Sequence, residues 1–306
     1  MIELANGPAR LKIARRGAEP LAWSIGHIPM LWTADPAVWP QTAPVLFPVV
    51  GWTRGGQIRH RGVAYPLGLH GFAAHRAFAL VEAGATGARL RLESDAETRS
   101  SYPFEFRLDA IYRLEPDALV WTLEVSNLGQ EPMPYALGLH PGFCWPFAGS
   151  PAPHALIFDA AERASVPVIA PGGLFSHERR VVPLELAAEA AAPRAAPMQP
   201  AGRGRCLRIT RDLLAQEALC FLDIASRGAV LDNGAGARLR VDLDGFPHLA
   251  LWSRPPAPFL CIEAWSGHGD PVGFDGELTD KPSMRLLAPG ATSRHTARFS
   301  FTDTVV

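Results

Sequence analysis

The chain has no excess of charge of either sign, almost no lysine, no paired cysteines and no long apolar run, and each absence removes a class of function. Over 306 residues its formal net charge is -1, and its basic residues, nearly all arginine, are dispersed. A nucleic-acid or anionic-membrane partner calls for clustered cations, so neither is expected. Cys144, Cys206, Cys220 and Cys261 lie far apart, with no CxxC pair and no Cys/His spacing; zinc and a disulfide framework are disfavoured, and the thiols read as reduced and mostly buried. The N-terminal MIELANGPARLKIARRGAEP has no apolar core of signal-peptide length, and no uninterrupted apolar run is long enough to span a bilayer. A soluble cytoplasmic protein is the resulting expectation. Missing too are an HxH pair or HExxH helix for a metal, a GxSxG elbow, a GxxxxGK[ST] loop and a GxGxxG opening a helix after a strand.

Helical periodicity is also absent over any long segment, and alternation takes its place. Ala237–Asp244 (ARLRVDLD), Leu119–Val125 (LVWTLEV) and Thr296–Phe301 (TARFSF) switch polarity every residue, as half-buried strands do. Shorter candidates include Leu21–Ile25, Val45–Val50, Gln57–Tyr65, Phe104–Leu114, Val181–Leu184, Ala218–Phe221, His248–Trp252 and Phe259–Glu263. With 28 glycines and 29 prolines as turn punctuation, many short strands joined by turns is the economical reading, and it predicts an all-β antiparallel sandwich. All-β chains of this length often form one unit, so a single domain over residues 1–306 is expected. Leu184–Arg205, rich in alanine and proline, reads as a surface loop centred on about 185–204. The proline-punctuated Thr33–Pro44 carries Trp39 and reads as a loop that packs an anchor or lines a site.

Polar residues in apolar runs mark the candidate chemistry. In Leu249–Pro271 (LALWSRPPAPFLCIEAWSGHGDP), Glu263 ends the run Phe259-Leu260-Cys261-Ile262 and is followed by Trp265. Burial there would raise a carboxyl pKa toward neutrality, as a general base or acid at cellular pH requires; the alternative is a strand-end carboxylate facing solvent or paired with an arginine. Trp252 and Trp265 offer flat apolar faces with an N–H handle, surfaces on which the C–H face of a sugar ring can lie. His70 in LHGF and His140 in GLHPGF sit in similar apolar settings. Each alone reads equally as a hydrogen-bonded core or turn residue, but with Glu263 they suggest acid–base chemistry without a nucleophile. Glycoside hydrolysis would need a second carboxylate, for which Asp270 and Asp223 are available, though Asp270 also reads as a turn cap. Arg54 either binds sugar hydroxyls or faces water.

Four segments in order carry a resemblance: Pro44-Val45-Leu46-Phe47-Pro48 with Gly51, His70-Gly71-Phe72-Ala73, Gly138-Leu139-His140-Pro141-Gly142-Phe143, and Phe259 to Gly267. From about Leu11 to Phe301 the chain resembles the aldose 1-epimerase (galactose mutarotase-like) family. The resemblance implies a large antiparallel β-supersandwich and a cofactor-free isomerase acting at the anomeric carbon of an aldose. Carried over position by position, Glu263 would be the base, His140 the acid, and His70 a sugar ligand that polarises the ring oxygen. Arg54 and Glu217 are further sugar-binding candidates by position, beside Trp252 and Trp265. The sequence departs from the family pattern at Ala74, where relatives carry an arginine; Arg76 lies two residues on, about 7 Å away along an extended strand. Competing readings are a sugar-binding regulatory protein without turnover, and epimerisation of a phosphosugar held by two or more of Arg54, Arg59, Arg61 and Arg76.

Overall fold

The computed structural model describes residues 1–186 and 204–304. Strands dominate, and every pairing between named strands is antiparallel. A ten-stranded sheet runs in the spatial order Leu184–Leu186, Arg205–Ile209, His154–Phe158, Gly228–Asp232, Ala237–Asp244, Thr292–Asp303, Ala118–Asn127, Phe106–Leu114, Gly87–Glu93 and Ala79–Ala83. The alternation read from the sequence sets its faces. In Phe106–Leu114, Leu108, Ala110 and Tyr112 enter the core, while Arg107, Asp109 and Ile111 take the other face.

A six-stranded sheet forms the second layer: Leu219–Phe221, His248–Trp252, Phe259–Trp265, Gly138–Leu139 and Val45–Leu46 in order, with Gly142–Cys144 also paired to Phe259–Trp265. One apolar cluster draws on both sheets, from Leu108, Val125 and Phe299 of the first to Leu249, Leu260 and Ile262 of the second. Contacts such as Phe143 against Phe299 and Phe158 against Phe221 close the layers on each other. This is the all-β supersandwich expected from the sequence. A four-stranded sheet of Ile2–Asn6, Ala9–Ile13, Pro20–Ile25 and Ile28–Pro29 adds Leu4, Leu11 and Trp23 to the same cluster.

Two segments differ from expectation. The reading of a strand at Val181–Leu184 and a loop after it is displaced: one strand ends at Val181, and Leu184–Leu186 pairs with Arg205–Leu207. The rest of the proposed loop lies outside the described residues. Val45–Val50 is a strand only over Val45–Leu46; beyond it the chain turns along the site. No helix among the described residues is long and apolar enough to cross a membrane.

Candidate active site

Strand Phe259–Trp265 is central in the six-stranded sheet and buried at all seven residues. Leu260, Ile262 and Ala264 point into the main core, so Phe259, Cys261, Glu263 and Trp265 share the opposite face. Register then fixes Glu263's neighbours. Ala250 lies across from it on one side and Cys220 beyond that; on the other side Gly138 pairs with Trp265 and Leu139 with Ala264, which brings His140 alongside Glu263. Nε2 of His140 stands 3.2 Å from Oε2 of Glu263, and the two side chains are 9% and 2% exposed. The indole N–H of Trp265 donates to the same Oε2 at 3.0 Å, and among the described residues no hydrogen bond engages Oε1.

The glycines of GLHPG make this packing possible. A Cβ on Gly138 would stand 2.9 Å from Cδ1 of Trp265, and one on Gly142 would stand 2.7 Å from Cζ3 of Trp39. Their absence lets both indoles approach the sheet. Trp39, Trp252 and Phe259 build an aromatic wall: the rings of Trp39 and Trp252 lie 5.2 and 5.6 Å from that of His140, and Trp39 meets Trp252 edge-on at 5.4 Å. On the other side of Glu263, Leu46, Phe175, Cys220, Ala250 and Trp265 form a second apolar cluster.

His70 reaches the same place from a turn. It adopts φ 60°, and Gly71 follows at φ 72°; a Cβ on Gly71 would lie 2.3 Å from the Phe47 carbonyl oxygen, so only glycine fits. The His70 ring stands edge-on to that of His140 at 5.6 Å. Its Nδ1 accepts the Gly51 N–H at 3.0 Å, so the neutral ring carries its proton on Nε2 and is a donor there. Burial lowers the His70 pKa to about 4, which keeps the ring neutral near pH 7.

Burial also governs the pair. It raises the Glu263 pKa well above the ordinary carboxyl range, against the opposing Trp265 hydrogen bond. It lowers that of His140, with the neighbouring His70 adding to the effect. At rest the neutral pair is favoured: one proton lies between an acid and an imidazole, and its transfer creates a carboxylate and an imidazolium without exchange with solvent.

Of the positions singled out in the sequence, Glu263, His140, His70, Trp252 and Trp265 come together. Arg54 and Glu217 do not join them. The Arg54 guanidinium is exposed and donates to the Phe274 carbonyl at 3.2 Å, lining a separate cavity with Asp270 and Lys281. Glu217 is exposed at φ 45°, with its backbone carbonyl accepting from Arg180 at 3.3 Å. Arg76 is bound by Asp95 and Glu97, and His75 is exposed, so neither fills the place of an arginine at Ala74. Asp270 pairs with Lys281 at 2.9 Å and accepts the Arg54 backbone N–H at 2.8 Å, while Asp223 is 81% exposed. Sequence reasoning missed His248, which pairs across the sheet with Trp265 and stands 5.6 Å from His268. It also missed Arg180, whose charge opposes the upward push that burial and Glu263 give the Cys220 thiol pKa. His248 lay in a strand read correctly, and only the pairing partner reveals its face. Among the described residues no cluster of His, Cys, Asp and Glu is arranged to hold a metal.

The supersandwich defines a galactose mutarotase-like protein. A galactose mutarotase related enzyme from Lactobacillus acidophilus has 25% identity and a TM-score of 0.84, over 99% of this chain and 97% of that one. A galactose mutarotase-like protein from Lactobacillus casei gives 25% and 0.85, over 99% and 100%. Residues 1–177 match the family described as aldose 1-epimerase. The plasmid and chromosomal LacX proteins of Lactococcus lactis subsp. lactis are each 30% identical over 275 residues, 86% of this chain and 86% of theirs. The chain belongs to the aldose 1-epimerase family, which is of isomerase type.

Proposed function

We propose that this protein interconverts the α and β anomers of an aldose by general acid–base ring opening, without a cofactor. The observation that supports this most is the 3.2 Å contact of two buried groups, Glu263 and His140, with opposite pKa shifts. The free Oε1 of Glu263, in its carboxylate form, takes the proton of the anomeric hydroxyl. Nε2 of His140, as imidazolium, gives its proton to the ring oxygen. The C1–O5 bond breaks as the C1 carbonyl forms, rotation about C1–C2 exchanges its faces, and the reverse transfers close the ring as the other anomer. Both protons return to their starting groups, so no further reagent is required. His70 donates from Nε2 to the sugar, and Trp252 and Trp39 supply apolar faces for ring C–H groups.

The phosphosugar reading is weakened at this site, because Arg61 is held by Glu131 at 2.5 Å and Arg76 by Asp95 and Glu97. Saturation-transfer NMR of anomer exchange on a panel of aldoses and one hexose 6-phosphate, with wild type and Glu263→Gln, tests the proposal. Exchange above the buffer rate that drops at least a hundredfold in the variant is expected. A sugar that binds but exchanges no faster than in buffer would mean a binding protein without turnover.

A further inference from the structure

Apart from the Glu263 site, the structure has a cavity of about 310 Å³ whose lining includes Arg54, Arg59, Lys281, Asp270, Asp275 and Phe274. None of Glu263, His140, His70, Trp252 or Trp265 lines it. Its volume is at the lower end of small-ligand sites.

Lys281 is the unusual residue. It is one of two lysines in a chain that otherwise uses arginine, and its side chain is 1% exposed. A buried ammonium is costly unless its three donors find acceptors. Asp270 supplies the charge: its Oδ1 lies 2.9 Å from Nζ. Asp270 serves one of the three donors, and among the described residues no other acceptor is in hydrogen-bond contact with Nζ. The remaining donors of a buried cation are therefore left over beside a cavity.

Two further cations share that cavity. Arg54 spends one N–H on the Phe274 carbonyl and Arg59 one on the Gly62 carbonyl. Among the described residues, neither guanidinium pairs with a carboxylate. Since Asp270 is matched by Lys281, the lining sets two guanidinium groups against one further carboxylate, Asp275, which has no ion pair among the described residues, and the cavity has an excess of positive charge. Two planar forks and an ammonium suit an oxyanion with several terminal oxygens. The unpaired Asp275 opposes a bare anion but accepts from hydroxyl groups.

We propose that this cavity is a second binding site, for the phosphate group of a small hydroxylated phosphate ester, with Arg54, Arg59 and Lys281 as the phosphate ligands. The proposal is independent of the reaction assigned to Glu263. Its position adjoins the active-site turn: Asp270 accepts from the Arg54 backbone and donates to the Trp52 carbonyl, and the Gly51 N–H holds His70.

Isothermal titration of the full chain with glucose 6-phosphate, inorganic phosphate and glucose tests this, using wild type, Glu263→Gln and the surface variants Arg59→Ala and Arg54→Ala. Saturable binding of glucose 6-phosphate is expected in wild type and equally in Glu263→Gln, weakened at least tenfold by either arginine substitution. A Lys281→Met variant that remains folded by circular dichroism should lose it as well. Binding of inorganic phosphate alone would support the site and identify free phosphate as its ligand. Binding that is unaffected by the arginine substitutions, matched by glucose, or absent for both phosphates would overturn the proposal.

Discussion

Glu263 and Asp109 are equally buried, each 2% exposed at the side chain, yet their surroundings drive them in opposite directions. Burial alone would raise both. Around Asp109 it is overcome by hydrogen bonds from Arg91 at 2.7 and 3.0 Å and from Arg89 at 2.6 Å, so its pKa falls below the ordinary value. Around Glu263 the polar partners are an indole N–H and an imidazole that burial itself keeps neutral, so the pKa rises. Both guanidinium groups lie on the outer face of the large sheet, 32% and 26% exposed, and carry their charge without full desolvation. The difference between a structural carboxylate and the one proposed as the base lies in which partners sheet register supplies and in how completely protein surrounds each, Glu263 more so than Asp109.

The largest expected effect comes from removing the charge of each in turn. Glu263→Gln should lower anomer exchange at least a hundredfold while leaving the fold intact, because Gln resembles the protonated acid favoured at rest. Asp109→Asn should do the reverse. Exchange per folded molecule should be retained, and stability in chemical denaturation should fall by about 2 kcal/mol as Arg89 and Arg91 lose their shared partner. Equal activity loss in both variants would erase the distinction.

The pH dependence of these stabilities sharpens the comparison. Asp109 has a lowered folded pKa, so its contribution is present above the ordinary value of 3.8 and lost as pH falls through the folded pKa. The stability gap between wild type and Asp109→Asn should close in acid. Glu263 has a raised folded pKa, so its contribution is fully present below the ordinary value of 4.5 and lost as pH rises. Glu263→Gln should therefore gain on wild type as pH rises above that value. Denaturant titrations at a series of pH values read both slopes, and slopes of the same sign would contradict this account.

Histidines add a third, shallower contribution. Burial lowers the pKa of His70, His248 and His295 from 6.5 to about 4. A depressed pKa gives stability that is complete above 6.5 and lost as pH falls toward 4. Wild type should lose stability through this window, and His295→Gln, remote from Glu263, should flatten the slope by about one proton. An unchanged slope would show that His295 is protonated in the fold.

Much of the fold was legible because alternation and burial coincide. Ala237–Asp244 and His248–Trp252 are strands at the bounds read from sequence. Gly228–Asp232 was missed because GAVLD is too short and uniform to show a period, although strands flank it on both sides. The Ser165–Ile169 and Phe175–Val181 hairpin was missed because its second strand, FSHERRV, is largely polar and exposed. At the site, Glu263 and His140 could be found because a charged or titratable group interrupts an apolar run. Arg54 misled because a turn residue's direction depends on what caps it, here Asp270 and Phe274 from far along the chain. The placement of Trp39 on His140 required the tertiary fold that seats its loop over Gly142.

The smallest change concerns the one hydrogen bond that tempers burial at Glu263. The Trp265 N–H favours the carboxylate and opposes the upward shift. Trp265→Phe keeps an aromatic ring beside Gly138 and removes only the donor. The Glu263 pKa should rise further, and because the neutral pair is already favoured at rest, the basic limb of the exchange–pH profile should move upward while the plateau falls as the carboxylate–imidazolium form becomes scarcer. The acidic limb, set by His140, should move little, because the indole does not contact that ring. A lowered profile whose basic limb stays in place would instead assign Trp265 to sugar stacking, and the comparison with Asp109 would then rest on His140 and burial alone.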